Sequence, residues 1–279
     1  MSIRGTEPYL CVDIHLGQMA AIEVRSGAVV RWFREPIRPE WMKQGDPVAV
    51  SALAQVLRGG VQAAGMRSRQ VRLTLCDEAA VVRRVRMPVM AKKDLAGAMR
   101  FAAEREMPFP PQRAVYAWDV VSTEGSLTIS VAAAWKDVVD RAAAVVVQAG
   151  LVPTVIEPRS IALGRALNSE NAIIVDGSAG MLEMTVLAAG HPVYSDSIPR
   201  NSESNGQAVD IEALISRGHR HFPAAASSPV LLVGDLESEL DQVRVRARRG
   251  TSLLNGTSPA RPPDLPAAGF LANFGLAMR

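Results

Sequence analysis

The feature that most constrains the fold of this chain is a pattern of strands and turns that occurs twice. In the first copy an apolar run from Tyr9 to Ile14 contains Asp13, and two strand-like runs then flank Ser26-Gly27. The second copy begins with a run that ends in Asp176, and its later turn is Ala189-Gly190. Aligned on the two aspartates, the copies share residues at strand ends and turns: Val12 with Val175, Gly17 with Gly180, Gly27 with Gly190 and Val30 with Val193. Glycine there allows backbone angles that other residues rarely adopt, so the sequence predicts a duplicated three-stranded unit.

The composition is that of a globular chain without a membrane-spanning segment. Of the 279 residues 48% are apolar, which is enough for a large buried core. No window approaches the roughly 20 consecutive apolar residues of a transmembrane helix, and the N-terminus lacks a signal-peptide profile. Cys11 and Cys76 lack the spacing of a metal or redox motif, which favours buried thiols in a reducing compartment. We therefore expect a cytoplasmic protein.

The charge pattern argues against direct binding of nucleic acid. The formal net charge is only +3, and the densest basic run, Arg244 to Arg249, alternates with Val and Ala. Such a run is typical of one solvent-exposed face of a strand or helix end. Single-strand-binding surfaces combine a basic groove with aromatic side chains, and no such stripe is present. The histidines show no HExxH arrangement, and we expect no metal site.

A helix followed by a rigid proline turn lies in the middle of the chain. The pattern from Lys92 to Met107 predicts the helix, and Pro108 ends it because proline lacks the amide donor and clashes with the preceding turn. Phe109 is then held between prolines. It is either an aromatic plug in a hydrophobic core or part of a binding surface, and the local sequence leaves both interpretations open.

Four stretches, in a fixed order, carry a resemblance to a known family. They are Arg86 to Pro110 with its Glu-Met-Pro-Phe-Pro ending, Val131 to Pro153, Ile156 to Leu163, and Phe274 to Arg279. Over nearly the whole chain this set is similar to the type IV pilus assembly PilM-like family. It also resembles the shorter relatives in competence and DNA-utilisation operons and, more distantly, the division protein FtsA.

The resemblance implies an α/β architecture, the actin-like ATPase fold, which is a duplicated ribonuclease H-like fold. It further implies an inserted FtsA-like subdomain, called 1C, and a reduced or missing subdomain 2B. The expected division assigns residues 1–73 with 158–170 to subdomain 1A and residues 74–157 to subdomain 1C. Residues 171–279 then form subdomain 2A, with a truncated 2B at about 200–229.

In proteins of this fold two loops and two aspartates hold ATP and magnesium. The resemblance places the corresponding, vestigial positions at Asp13, Gly17, Asp176, Gly177, Ser178 and Gly234. In the first loop, His15 and Leu16 replace a glycine and a small residue of the family. In the second loop, Gly180, Met181 and Leu182 replace a cluster of hydroxyl residues. Glu183 stands where the family has an acidic residue. A side chain at position 15 would crowd an approaching phosphate. We therefore expect no catalytic residue and no bound cofactor, and the alternative is an active ATPase that binds ATP and magnesium.

The resemblance also implies a partner. It predicts a scaffold, peripheral at the inner membrane, that binds the cytoplasmic N-terminal peptide of a bitopic PilN-like inner-membrane protein and links it to pilus motor ATPase components. The expected groove lies between the first subdomain and the insert, and an extended peptide there would be held by backbone pairing and side-chain pockets. The residues expected along it are Val82, Val85, Met87, Pro88 and Phe109. The sequence does not show whether the assembly serves twitching motility, competence or type II secretion. Direct DNA binding and sugar-kinase activity have less support in the sequence than the scaffold.

Overall fold

A computed structural model describes residues 7–15, 17–122, 125–178, 181–199, 206–236, 247–254 and 258–279. The strands are β1 (Tyr9–His15), β2 (Gln18–Arg25), β3 (Ala28–Pro36), β4 (Gln70–Leu75), β5 (Ala80–Met87), β6 (Ala114–Ser122), β7 (Leu127–Trp135), β8 (Val152–Pro158), β9 (Ala172–Ser178), β10 (Met181–Ala188), β11 (His191–Pro199), β12 (Val230–Gly234) and β13 (Ala247–Arg249). The helices are α1 (Val50–Ala63), α2 (Lys92–Glu106), α3 (Lys136–Gln148), α4 (Arg159–Leu167), α5 (Gly206–His221) and α6 (Leu271–Ala277).

Two five-stranded sheets with matching topology confirm the predicted duplication. Their strand orders are β3-β2-β1-β4-β8 and β11-β10-β9-β12-β13. In each sheet the first three strands are antiparallel and the remaining strands are parallel. The two outer turns also match, because Ser26 and Gly27 have φ angles of 50° and 78° while Ala189 and Gly190 have 45° and 74°. Gly180, which the alignment pairs with Gly17, lies outside the described residues.

Two helices fill the space between the sheets. The apolar faces of α4 and α6 form one hydrophobic core with the inner faces of β1, β2, β9 and β12. The outer face of the first sheet is covered by α1 and α3, and the outer face of the second sheet is covered by α5. This arrangement directs the carboxyl ends of β1 and β9 towards the same central region, next to the start of α4.

A separate three-stranded sheet, in the order β5-β7-β6, forms the insert. Helix α2 covers one of its faces and encloses a small core of its own. The expected insert, residues 74–157, is longer than this unit. Strand β8 pairs with β4 in the first sheet, and α3 packs on the core of that sheet beside α1. Because these pairings hold α3 and β8 to the first half, we propose residues 80–135 as the insert.

The region expected to carry a reduced subdomain contains α5 and a short 3₁₀ turn at Pro223–Ala225 among its described residues. Helix α5 packs directly on the second sheet through Ile211, Leu214 and Ile215. The helix expected near 237–243 lies outside the described residues. Within the described ranges, none of the helices is both long and apolar enough to cross a membrane.

Candidate functional site

The two aspartates of the repeated pattern meet at the centre of the molecule. Asp13 lies near the carboxyl end of β1 and Asp176 near the carboxyl end of β9, and both are buried. Arg159, the first residue of α4, lies between them and is only 7% exposed. One guanidinium therefore connects the central strands of both sheets.

The contacts of Arg159 use the nitrogen atoms of its guanidinium in turn. Its Nε donates to Asp13 Oδ2 at 3.1 Å, and its Nη2 donates to Asp176 Oδ2. The Nη1 atom lies 3.9 Å from Glu183 Oε2. The hydroxyl of Thr74 on β4 donates to the other oxygen of Asp13, so both oxygens of that carboxylate are engaged by the protein itself.

The electrostatics of this cluster favour a charged arginine. Burial acts to lower the pKa of Arg159, but the carboxylates of Asp13, Asp176 and Glu183 outweigh it and raise the pKa well above its usual value. Burial likewise acts to raise the pKa of Asp176, but the charge of Arg159 outweighs it and lowers that pKa. Burial raises the pKa of Glu183 well above its ordinary value. The arrangement is therefore an ionised Arg159–Asp176 pair beside a carboxyl group that favours its neutral form.

His15 reaches from the first half of the molecule into this cluster. Its Nε2 lies 3.3 Å from Glu183 Oε2 on β10, and its Nδ1 lies 3.9 Å from Cys76 Sγ. Burial, followed by repulsion from Arg159, lowers the pKa of His15 to about 4. The imidazole is therefore neutral at physiological pH. The His15 side chain lies next to the turn that follows β1. This is the position at which the sequence indicates that a side chain would crowd an approaching phosphate.

Two glycines allow the second half to close around Asp176. A Cβ atom at Gly234 would lie 2.4 Å from Asp176 Oδ1, and a Cβ atom at Gly177 would lie 2.4 Å from the Leu236 side chain. Gly234 also has a φ of 66°, which only glycine adopts readily. Asp176 Oδ1 is buried and has no hydrogen-bond partner. These glycines therefore serve close packing at this aspartate.

The structure brings together most of the residues predicted for the nucleotide site. Asp13, Asp176, Gly177 and Gly234 converge on the cluster, and Gly17, with a φ of 77°, forms the tight turn after β1. Leu16 and the side chain of Ser178 lie outside the described parts. Sequence reasoning missed Arg159. The available signal was a cation in the first turn of a helix, where the helix dipole disfavours positive charge unless anions surround it.

A second feature is a cleft of about 710 Å³ between the insert and the rest of the protein. The insert contributes one face of its sheet to the cleft, and the opposite wall comes from β8, α4 and the β10–β11 turn. The lining residues include Ala117, Asp119, Ser130, Ala132, Glu157 and His191. The cleft therefore spans the junction of all three sheets.

Charged groups lie around this cleft. Glu157 is buried and binds Arg165 at 2.8 and 3.1 Å and Arg279 at 3.0 Å. Arg84 lies on the same face of the insert as Ser130, its cross-strand neighbour. The Nε and Nη2 atoms of Arg84 are shielded from solvent and have no hydrogen-bond partner, and burial, with repulsion from Arg86, lowers its pKa.

The five residues predicted to contact a partner occupy different environments. Val85 and Phe109 are buried in the core of the insert, and Met87 packs against that core. The Phe109 ring meets Trp135 edge-on with their centroids 4.9 Å apart, as the core-packing interpretation predicts. Pro88 is exposed, and only Val82 lies on the cleft face, opposite Ala132.

Comparison with known proteins identifies one matching family. The family described as type IV pilus assembly protein PilM matches residues 13–204, which is most of the chain. No curated protein matches the sequence. Because the matched range begins at Asp13 and ends beyond β11, it contains the cluster of Arg159, the insert and most of the cleft.

Solved structures support the same fold. A chain of a structure described as the PilM–PilN type IV pilus biogenesis complex superposes with a TM-score of 0.77 at 19% identity, covering 99% of this chain and 98% of that one. The cytoplasmic domain of EpsL, an inner-membrane component of the type II secretion system of Vibrio cholerae, has a TM-score of 0.58 at 11% identity, with 97% and 95% covered. The ethanolamine utilization protein EutJ from Carboxydothermus hydrogenoformans has a TM-score of 0.55 at 12% identity, with 99% and 91% covered.

Proposed function

This chain belongs to the type IV pilus assembly protein PilM family and has the actin-like ATPase fold, and from this premise we propose that it is a non-enzymatic scaffold of a pilus assembly platform. Its partner is the cytoplasmic N-terminal peptide of a bitopic, PilN-like inner-membrane protein. Binding that peptide holds the scaffold at the cytoplasmic face of the inner membrane, where pilus motor components act.

The observation that carries this proposal is the cleft between the insert and the two halves. At about 710 Å³ it is large enough to hold several residues of an extended peptide. One wall is a sheet face with small side chains at Ala117 and Ala132, which leaves room for a peptide backbone. Arg84 lies on the same face of the insert, opposite Ser130, and places a positive charge near this wall.

We also propose that the nucleotide site is degenerate. In the actin-like fold the two aspartates would hold magnesium through carboxylate oxygens. Here both oxygens of Asp13 are engaged by Thr74 and Arg159, and Arg159 also binds Asp176. The buried His15 ring stands at the end of β1 and contacts Glu183 across the cluster. ATP and magnesium therefore do not fit these residues, which counts against the alternative of an active ATPase.

The test is titration calorimetry with a synthetic peptide of the membrane neighbour's cytoplasmic segment. We expect one-to-one binding by the wild-type chain. Ala117→Arg adds a bulky cation at an exposed position of the cleft wall and is expected to weaken binding tenfold or more, which is about 1.4 kcal/mol. Phe101→Arg makes a matched change on α2, which covers the opposite face of the insert, where residue 101 is 68% exposed, and should leave affinity within twofold.

Two results would contradict the proposal. The first is the absence of peptide binding by the wild-type chain. The second is an unchanged affinity in Ala117→Arg when its circular dichroism and Tm match those of the wild type. A parallel titration with magnesium and ATP addresses the enzyme alternative, since one-to-one micromolar binding would restore the ATPase interpretation.

A further inference from the structure

We propose that Arg159 is the resident cation of the central site, a part of the chain that takes the position of a metal ion and joins the two halves permanently. This inference rests on the degenerate-site part of the proposed function and does not depend on peptide binding.

The geometry of the contacts supports this assignment. Asp13 and Asp176 belong to corresponding strands of the two sheets, and one guanidinium binds an oxygen of each. A divalent cation bound by two carboxylates would make the same connection. Arg159 is delivered by α4, which lies in the core shared by both sheets. The cation is therefore held in place by the packing of the fold and cannot exchange with solvent.

The charges around Arg159 also fit this role. The guanidinium neutralises one of the two carboxylates directly, and Arg34 contributes a further positive charge near Asp176. Removing one member of a buried ion pair leaves an uncompensated charge, which is far more damaging than replacing the whole group by neutral residues. If Arg159 neutralises the aspartates, its loss should therefore be corrected by neutralising them in the same chain.

Two further polar contacts between the halves are more exposed than those of Arg159. Arg34 Nη2 lies 3.1 Å from Asp235 Oδ1, and the Ser197 hydroxyl donates to Glu78 at 3.2 Å. Solvent screens such contacts, and each contributes little to stability. Among the described ion pairs between the halves, the contact of Arg159 with Asp176 is the most deeply buried, with side-chain exposures of 9% and 4%. Loss of Arg159 should therefore loosen the junction more than loss of either exposed contact.

The test measures Tm with and without magnesium chloride, using sodium chloride at equal ionic strength as the control. The wild-type Tm should not respond to magnesium. Arg159→Ser removes the positive charge between Asp13 and Asp176. It is expected to lower Tm by about 10 °C. Millimolar magnesium should recover part of that loss in Arg159→Ser but not in Asp13→Asn/Arg159→Ser, because the second variant has lost one carboxylate.

A second variant keeps the proposal testable if Arg159→Ser fails to fold. The triple variant Asp13→Asn/Arg159→Met/Asp176→Asn removes all three charges and should have a higher Tm than Arg159→Met alone. The inference is overturned if the wild-type Tm rises with magnesium, if Arg159→Ser matches the wild type, or if the triple variant is no more stable than Arg159→Met. Peptide titration of a folded Arg159 variant separates the role of Arg159 from the peptide-binding function. Unchanged peptide affinity would leave the scaffold function supported, whatever effect magnesium has on Tm.

Discussion

Gly275 of α6 lies directly against the carbonyl oxygen of Ala162 in α4, so that a Cβ atom at Gly275 would approach that oxygen to 1.8 Å. No side-chain rotation can relieve this overlap, because the obstructing atom belongs to the backbone of a buried helix. We expect Gly275→Ala to lower the free energy of unfolding by more than about 3 kcal/mol, measured by urea denaturation. Gly59→Ala is the control. Its Cβ atom would meet nothing within 4 Å, and it should stabilise α1 by about 0.5–1 kcal/mol.

Glu23 on β2 is fully buried and ties this strand to the segment before β4. Its Oε1 accepts hydrogen bonds from the Ser68 hydroxyl at 2.7 Å and from the backbone amides of Arg67 and Ser68 at 3.0 and 2.9 Å, and Arg31 binds Oε2 at 3.0 Å. Glu23→Gln removes the charge and turns one acceptor into a donor. We expect a loss of about 2–4 kcal/mol in the free energy of unfolding at pH 7, whereas Glu35→Gln, at an exposed site, should change it little.

The same carboxylate should produce a dependence of stability on pH. Burial acts to raise the pKa of Glu23, but the hydrogen bonds from Ser68, Arg67 and Arg31 outweigh it and lower that pKa below 4.5. The folded state then binds fewer protons than the unfolded state in this range. The contribution of the Glu23 carboxylate to the free energy of unfolding is fully present above pH 4.5. It is lost as the pH falls through the pKa of Glu23 in the folded state. The wild-type advantage over Glu23→Gln should therefore shrink as the pH falls below 4.5, and an unchanged difference would contradict this assignment.

His15 should produce acid sensitivity over a different interval. Its pKa falls from 6.5 to about 4 on folding, so the unfolded state binds the proton first as the pH is lowered. Stability should fall from pH 6.5 towards pH 4, by at most about 3 kcal/mol from this group. His15→Gln should show a shallower loss between pH 7 and pH 5 in urea denaturation. In the wild type, the His15 ring proton shifts in NMR spectra should not titrate above pH 5, and a midpoint near 6.5 would refute this prediction.

Phe109 distinguishes the two interpretations that its sequence context left open. Because its ring is buried against Trp135, we expect Phe109→Ala to lower the free energy of unfolding by about 3 kcal/mol. Peptide affinity, measured well below the unfolding temperature, should stay within twofold of the wild type. A large loss of affinity with unchanged stability would instead place Phe109 in the binding surface.

Much of the architecture follows from local sequence, because the repeated unit is defined by apolar runs and by turns that require unusual backbone angles. Ser26-Gly27 and Ala189-Gly190 specify their hairpins without help from distant residues. The extent of the insert could not be predicted in the same way. The pattern of α3 gives a helix, but only the pairing of β8 with β4 shows which sheet that helix covers.

The candidate site was predictable only in part, for a related reason. Asp13 and Asp176 lie near the carboxyl ends of apolar strands, and that position identifies them. Arg159 lies 146 residues from Asp13, and in isolation it reads as a surface residue at the start of a short helix. Its role arises from the packing of α4 between the sheets, which a single sequence does not reveal.

The placement of the insert has a consequence for how such proteins diversify. Strands β4 and β8 are parallel neighbours in the first sheet, and the insert occupies part of the connection between them, before α3. The first and last residues of the insert therefore join the rest of the fold at the same edge of the first sheet. Lengthening, shortening or exchanging the module would leave the register of both five-stranded sheets intact. Such a change would alter one wall of the cleft while the central architecture stays the same.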